Sequence, residues 1–146
     1  MDRLSRERRS WNMGRIQSSN TRPEIVIRSA LHRLGFRFRL HTKALPGKPD
    51  IVLPKWRHVI FVHGCFWHRH KGCKKAYTPK SRIGFWSKKF EQNMARDELV
   101  QNELKRLGWS VSTMWECETD NPKVFANAIK NLANRIKRKS PSWNLP

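Results

Sequence analysis

Regular structure opens at Thr21-Arg22-Pro23-Glu24, where a Thr followed three residues later by Glu forms a capping box and Pro sits in the first turn. Ile25, Val26, Ala30, Leu31 and Leu34 then recur at helical spacing, and Gly35 closes the segment as its C′ residue. Phe36-Arg37-Phe38-Arg39-Leu40 alternates apolar and basic side chains, as a strand with one buried face does. Beyond a loop at 41–48 that holds Pro46 and Gly47, Pro49-Asp50-Ile51-Val52-Leu53 and Arg57-His58-Val59-Ile60-Phe61-Val62 read as adjacent central strands. Pro54-Lys55-Trp56 is the tight turn between them.

The longest helical pattern runs from Phe85 to Leu107, with Phe90, Met94, Leu99 or Val100, Leu104 and Leu107 directed inward and Gly108 at its end. Lys88, Lys89, Arg96, Lys105 and Arg106 load its polar side. Trp109-Ser110-Val111-Ser112-Thr113-Met114-Trp115 alternates strictly and delivers Glu116 and Cys117 to the end of a strand. Asp120 or Asn121 caps a last helix, about 122–137, with Val124, Ala128, Ile129, Leu132 and Ile136 on one side. Strands interleaved with helices make the fold class α/β, and there is no internal repeat.

Three stretches carry no such pattern. Residues 1–20 are rich in Arg, Ser and Asn, with Leu4, Trp11, Met13 and Ile16 too sparse to hold a helix; they read as a basic N-terminal arm. Residues 138–146 read as a basic C-terminal tail, which leaves 21–137 as a single domain. The loop from 63 to 84 is long enough to need a function or a staple.

Charge narrows the partner. The 146 residues carry 31 Lys+Arg against 11 Asp+Glu, a formal net charge of +20, which makes a polyanion the expected partner and nucleic acid the first choice. No run of about 18 apolar residues and no long basic amphipathic helix with an insertable face is present, so a membrane is not expected. The first residues lack the apolar core of a secretory signal, and the expected location is the cytosol.

The loop opens with His63-Gly64-Cys65-Phe66-Trp67-His68-Arg69-His70-Lys71-Gly72-Cys73. Cysteines at 65, 73 and 117 make an odd count, which in a reducing compartment suits metal ligation better than disulfides. With one imidazole from His68 or His70 they complete a Cys3His set, the usual donor set of a structural zinc, and Cys117 would tie the loop to the end of the last strand. Hydrolysis of a phosphodiester needs a positioned water, charge neutralisation on the phosphoryl oxygens and protonation of the leaving oxygen. Asp50 with the Val62 carbonyl as magnesium ligands, and His63 and His68 as base and proton relay in either order, meet those needs. Many nucleases carry a Pro-Asp strand followed by a strand with an acidic-x-Lys pair. Here Ile60-Phe61-Val62-His63 stands in the second place, and a histidine takes over from the lysine.

Taken together, Pro46-Gly47-Lys48-Pro49-Asp50, Val59 through His68, Phe85-Trp86, Asn93 with Arg96-Asp97, and Leu107-Gly108-Trp109 through Trp115-Glu116-Cys117 resemble the very-short-patch (Vsr) mismatch-repair endonucleases over roughly residues 10–117. The resemblance implies a restriction-endonuclease-like fold with a central mixed sheet flanked by helices and a structural zinc. It implies a magnesium-dependent nick 5′ to the T of a T:G mismatch left by deamination of 5-methylcytosine. By position, Asp50, His63, His68 and Glu24 resemble the catalytic group, and Cys65, His70, Cys73 and Cys117 the zinc ligands. Phe66, Trp67 and Trp86 resemble aromatics that wedge beside the mismatch, Met13 an apolar residue inserted by the arm, and Lys89 and Asn93 donors to the wobble edges. A wobble pair stacks weakly, so opening that step costs less than at a matched pair.

The resemblance further implies a monomer acting on double-stranded DNA on the bacterial nucleoid, linked in function to a cytosine-5 DNA methyltransferase. Two departures stand out: Val62 occupies a position where Thr is common, and the spacing from His68 to Cys73 is one residue longer than in some members. The rival readings are a nuclease of the same fold acting on other lesions or unmodified sites, and a non-catalytic zinc DNA-binding module. The joint presence of Asp50, His63 and His68 argues against the second.

Overall fold

In the computed structural model, residues 20–138 are described; all but the last residue of the arm, Met13 included, and all but the first residue of the tail lie outside them. Helix α1 spans Arg22–Arg33 and is followed by the short strand β1, Arg39–Leu40, and by β2, Ile51–Leu53. A 3-10 turn at Pro54–Trp56 leads into β3, His58–His63, and the long helix α2, Ile83–Arg106, connects β3 to β4, Ser110–Trp115. A second 3-10 turn, Glu116–Thr119, precedes helix α3, Pro122–Arg138.

The four strands form one mixed sheet in the order β1-β2-β3-β4. β1, β2 and β3 are antiparallel neighbours, whereas β3 and β4 run parallel in a register that extends from His58 opposite Ser110 to His63 opposite Trp115. A parallel pair needs a crossover, and α2 supplies it. Alternation along the strands separates two apolar layers. Ile51, Leu53, Ile60 and Met114 face α1 and α3, meeting Ile27, Leu31, Ile129, Leu132 and Ile136. Val52, Val59 and Phe61 face α2 and meet Leu104, with Val100, Trp109 and Val111 alongside. The result is a sheet between two helical layers.

The elements match the sequence pattern closely, and the differences are instructive. The buried stripe of α1 is Glu24, Ile27, Ala30 and Leu31, so Ile25 and Leu34, expected inside, are exposed. The true stripe begins on a charged residue, which an apolar count passes over. The strand expected over 36–40 shrinks to Arg39–Leu40. Extending the register of Arg39 with Val52 sets Arg37 against Pro54, which has no N–H to continue the ladder.

Met94, Leu99, Leu107 and Val124 are likewise exposed. With 24 residues, α2 is about 36 Å long, while the six-residue strands it crosses reach only about 20 Å. Part of its apolar stripe therefore has no sheet to meet. Gly35 and Gly108 do close α1 and α2, both at positive φ, and Asn121 caps α3 by accepting the Lys123 and Val124 N–H groups.

The exposed and buried residues of α2 give a direct test. Leu104→Ala should cost about 2–5 kcal/mol of unfolding free energy in urea titrations, whereas Leu99→Glu should stay within about 0.5 kcal/mol of wild type.

Candidate active site and metal centre

Parity along the sheet decides which side chains meet. Asp50 shares the face of Val52, and His63 that of Phe61, so both point towards the α2 layer. With residues of α2 and of the loop before Asp50 they line a cleft of about 320 Å³. Gly47 in that loop has φ +72°, and a Cβ there would lie 2.3 Å from the Val100 side chain. Only glycine lets the loop lie against α2 and bring Lys48 and Asp50 to the cleft.

Asp50 Oδ2 accepts the Val62 N–H at 2.7 Å. Carrying the Ile51–Ile60 register back two residues puts Pro49 opposite Val62, and proline offers the Val62 carbonyl no N–H. Because N–H and C=O of one residue point the same way in a ladder, that carbonyl faces the Asp50 edge without its strand partner. The Pro-Asp pair thus leaves two oxygen donors open at one place. Burial, with Glu24 nearby, pushes the Asp50 carboxyl up to about 6, against the lowering effect of the Val62 bond.

Behind Asp50, Glu24 is fully buried and its carboxylate is heavily engaged. Both oxygens contact His41 Nε2, at 3.0 and 2.9 Å; Arg28 donates at 2.7 Å and the Asn20 N–H at 3.1 Å. Only half of the expected capping box is present: the Thr21 hydroxyl accepts the Glu24 N–H, but the Glu24 side chain binds Asn20. The candidate ligand atoms of Glu24, His41 and Asp50 lie within 4.8 Å of one another.

Across the cleft the imidazoles of His63 and His68 stack, with centroids 3.8 Å apart and planes 5° from parallel. His68 Nδ1 donates to Asp97 Oδ2 at 2.6 Å, since an ionised carboxylate can only accept. That leaves Nε2 of His68 as its open basic atom. Burial, and then the neighbouring His68, push the His63 imidazolium down to about 4, so His63 is neutral near pH 7.

The second cluster lies just past the strand ends. Cys65, His70, Cys73 and Cys117 bring their ligand atoms within 4.8 Å of one another, and His70 Nδ1 lies 3.5 Å from Cys65 Sγ and 3.4 Å from Cys117 Sγ. Tetrahedral zinc with Zn–S near 2.3 Å and Zn–N near 2.0–2.1 Å requires S···N edges of about 3.6 Å, so the donors fit. Burial pushes the Cys65 thiol up and, reinforced by Cys65, the Cys117 thiol to about 12. The Cys73 thiol is pushed down instead, chiefly by the Lys75 backbone N–H, so the three thiols differ in how readily they ionise, and a bound cation would favour the thiolate in each. The ring that joins the cysteines is that of His70, and His68 is turned to Asp97, which separates the two histidines left open by spacing.

Phe66, Trp67 and Trp86 form one aromatic cluster, with centroids 5.2, 5.4 and 5.7 Å apart, and Phe90 and Tyr77 also touch Phe66. All three are half-buried. Asn93 Nδ2 donates to the Trp67 carbonyl at 3.2 Å, whereas Lys89 is exposed.

Sequence reasoning assigned no role to Asp97, His41 or Glu116, whose Oε1 accepts the Cys65 N–H at 2.9 Å. Asp97 follows Lys89 and Asn93 at steps of four on one helical face, a signal that could have found it. His41 meets Glu24 only through the tertiary fold and has no local signal.

The model of the DNA mismatch endonuclease Vsr family matches residues 1–75. The type II nicking enzyme V.XorIIP of Xanthomonas oryzae pv. oryzae is 50% identical over 131 residues, covering 90% of this chain and 96% of the relative. This chain belongs to the Vsr family. Among its relatives, the type II nicking enzyme V.NmeAIP of Neisseria meningitidis is 40% identical, covering 93% of this chain and 96% of the relative. The DNA mismatch endonuclease Vsr of Escherichia coli is 42% identical, covering 75% and 69%. As a Vsr-family DNA endonuclease the protein acts on DNA, and among the described residues no helix is long and apolar enough to cross a membrane.

Asp50 yields a prediction whose sign follows from linkage. Its folded value of about 6 lies above the ordinary 3.8, so between them the folded protein binds more protons than the unfolded chain. Its contribution to stability therefore falls as pH rises through that window and stays low above it. Asp50→Asn removes this dependence and keeps an acceptor for Val62. In thermal melts without divalent cations, the melting temperature of Asp50→Asn relative to wild type should rise between about pH 4 and pH 6 and then level off. A flat difference would mean that Asp50 ionises as freely as in the unfolded chain.

Proposed function

We propose that this Vsr-family endonuclease nicks one DNA strand 5′ to the T of a T:G mismatch created by deamination of 5-methylcytosine, in a magnesium-dependent hydrolysis that leaves a 5′-phosphate and a 3′-hydroxyl. The observation that carries the reading is the convergence of Asp50, the stacked His63–His68 pair and Asp97 in one cleft beside the aromatic cluster. Nicking activity in the names of the relatives supports a single-strand cut. The mixed sheet between helices, with a Pro-Asp pair opening a strand at the cleft, supports a restriction-endonuclease-like fold.

In this reading Asp50 and the Val62 carbonyl would hold the magnesium ion, with Glu24 behind them. Bound there, magnesium would supply charge neutralisation on the phosphoryl oxygens. His68, oriented through Nδ1 by Asp97, takes a proton from the attacking water at Nε2. His63, neutral and stacked on it, stabilises the developing charge through its ring N–H, and the proton that His68 has taken from the water is the one passed on towards the leaving 3′ oxygen. Cys65, His70, Cys73 and Cys117 would hold a structural zinc that fixes the loop between strand and helix.

Phe66, Trp67 and Trp86 enter the duplex at the weakly stacked wobble step as a preassembled wedge, so little ordering remains to be done on binding. Lys89 and Asn93, on the helix that carries Trp86, reach the displaced base edges. Met13, in the basic arm of residues 1–20, inserts from the other groove. We read the protein as a bacterial, cytoplasmic, nucleoid-associated monomer, with 21–137 as its nuclease domain and 138–146 as a basic tail, linked in function to a cytosine-5 DNA methyltransferase.

The decisive assay incubates the protein with magnesium and matched or T:G duplexes of varied flanking sequence. A nick confined to the T strand of mismatched duplexes, abolished by EDTA, is expected; equal cutting of matched DNA would instead favour a nuclease for unmodified sites, and no cutting would reject the enzyme. Asp50→Ala should abolish nicking while DNA binding persists. Asp97→Asn should slow nicking roughly 10- to 100-fold, and Trp67→Ala should erode mismatch preference more than salt-dependent affinity. Metal analysis should find one zinc per chain, lost together with loop order in Cys117→Ala.

A further inference from the structure

His70 and His63 belong to different clusters, yet one side chain touches both. The Trp115 indole lies flat on the His70 imidazole, with centroids 4.1 Å apart and planes 8° from parallel, and meets His63 at 5.3 Å and 75°. His63 is stacked on His68, which Asp97 holds at 2.6 Å. A continuous run of rings thus leads from the Cys/His cluster to the cleft: His70, Trp115, His63, His68. Trp115 is neither a ligand candidate nor part of the cleft lining, and neither apolar core includes it. Its backbone is nonetheless held firmly, opposite His63 in the parallel register and with its N–H on Glu118 Oε1 at 2.9 Å.

The physics of the contact is directional. His70 points Nδ1 at the cysteine sulfurs, so a metal there would fix not only the position of the imidazole but its plane. A parallel indole cannot tilt without losing that face, whereas an unliganded imidazole is free to turn about its own bond. The edge contact then carries the indole orientation to His63, and the stack carries it to His68.

We propose that Trp115 is a positioning residue that couples metal occupancy at Cys65, His70, Cys73 and Cys117 to the orientation of the His63–His68 pair. The inference rests on the reading of that pair as the nicking machinery and of the cysteine cluster as a zinc site. With a metal bound there, His70 and Trp115 would hold the angle of the His63–His68 pair as well as the loop.

The test uses the full-length, zinc-loaded protein with Trp115→Leu, which keeps an apolar side chain without a planar face, and Trp115→Phe, which keeps a planar one. Four quantities are measured: zinc per chain, the ring resonances of His63 and His68 in 1H–13C NMR spectra, and kcat and KM for a T:G duplex. In Trp115→Leu the ring resonances should shift and kcat should fall roughly 10- to 100-fold, with zinc retained and KM within about twofold of wild type. Trp115→Phe should restore most of kcat. The proposal is overturned by a zinc-replete Leu variant with wild-type resonances and kcat, by equal losses in Leu and Phe, or by a fall in kcat that only tracks lost zinc. Should wild type nick no duplex at all, the reading of function fails, while the ring resonances still decide whether Trp115 orients the histidines.

Discussion

The parallel pairing of β3 with β4 is the constraint on which the remainder depends. Its register sets His63 directly against Trp115 at the end of the ladder. Two residues further on each chain stand Cys65 and Cys117, so the same register that closes the sheet also brings two thiols together. Because parallel strands need a crossover, the pairing forces α2 across one face of the sheet, and α2 carries Trp86, Asn93 and Asp97 to the loop that starts at His63. A slip of one residue between β3 and β4 would reverse the face of every side chain and break the cysteine cluster and the cleft at once.

Both clusters are electrostatically uncomfortable in the same sense. Burial raises Asp50 to about 6 and Cys117 to about 12, although the chain as a whole is strongly basic. Among the described residues, the exposed Lys48 and Arg96 line the cleft, where they suit phosphates, and Arg28 is already committed to Glu24. Groups whose charged forms are disfavoured by burial and crowding are suited to stabilisation by a cation. The stability given up there is recovered in two apolar layers, which meet only through the sheet.

The loop that carries the clustered histidines and cysteines is held by contacts of several kinds. Arg69, at positive φ, donates to the carbonyls of Ala76 and Tyr77 and lies 4.1 Å over the Phe90 ring; Lys75 is paired with Asp120 at 2.7 Å, across from the cysteine cluster. Phe66 and Trp67 are therefore neither core residues nor loose surface groups. They sit half-buried against Trp86, in ring contact with it.

Much of this was legible beforehand. Local signals are written in adjacent residues: the caps at Thr21 and Asn121, the glycines at 35 and 108, the alternation of 110–115 and the crowding of His and Cys in 63–73 each depend only on near neighbours, and each element or cluster was found where expected. What only the tertiary structure decided depends on side chains far apart in sequence. The burial of Glu24 follows from its meeting with His41, and the exposure of Met94 and Leu99 from the mismatch in length between a long helix and short strands. The separation of His68 from His70 follows from Asp97 on one side and the cysteines on the other. Sequence by itself determined which residue types and periodicities were available; the register of β3 on β4 decided which of them could touch, because contact depends on three-dimensional distance and pattern records only spacing along the chain.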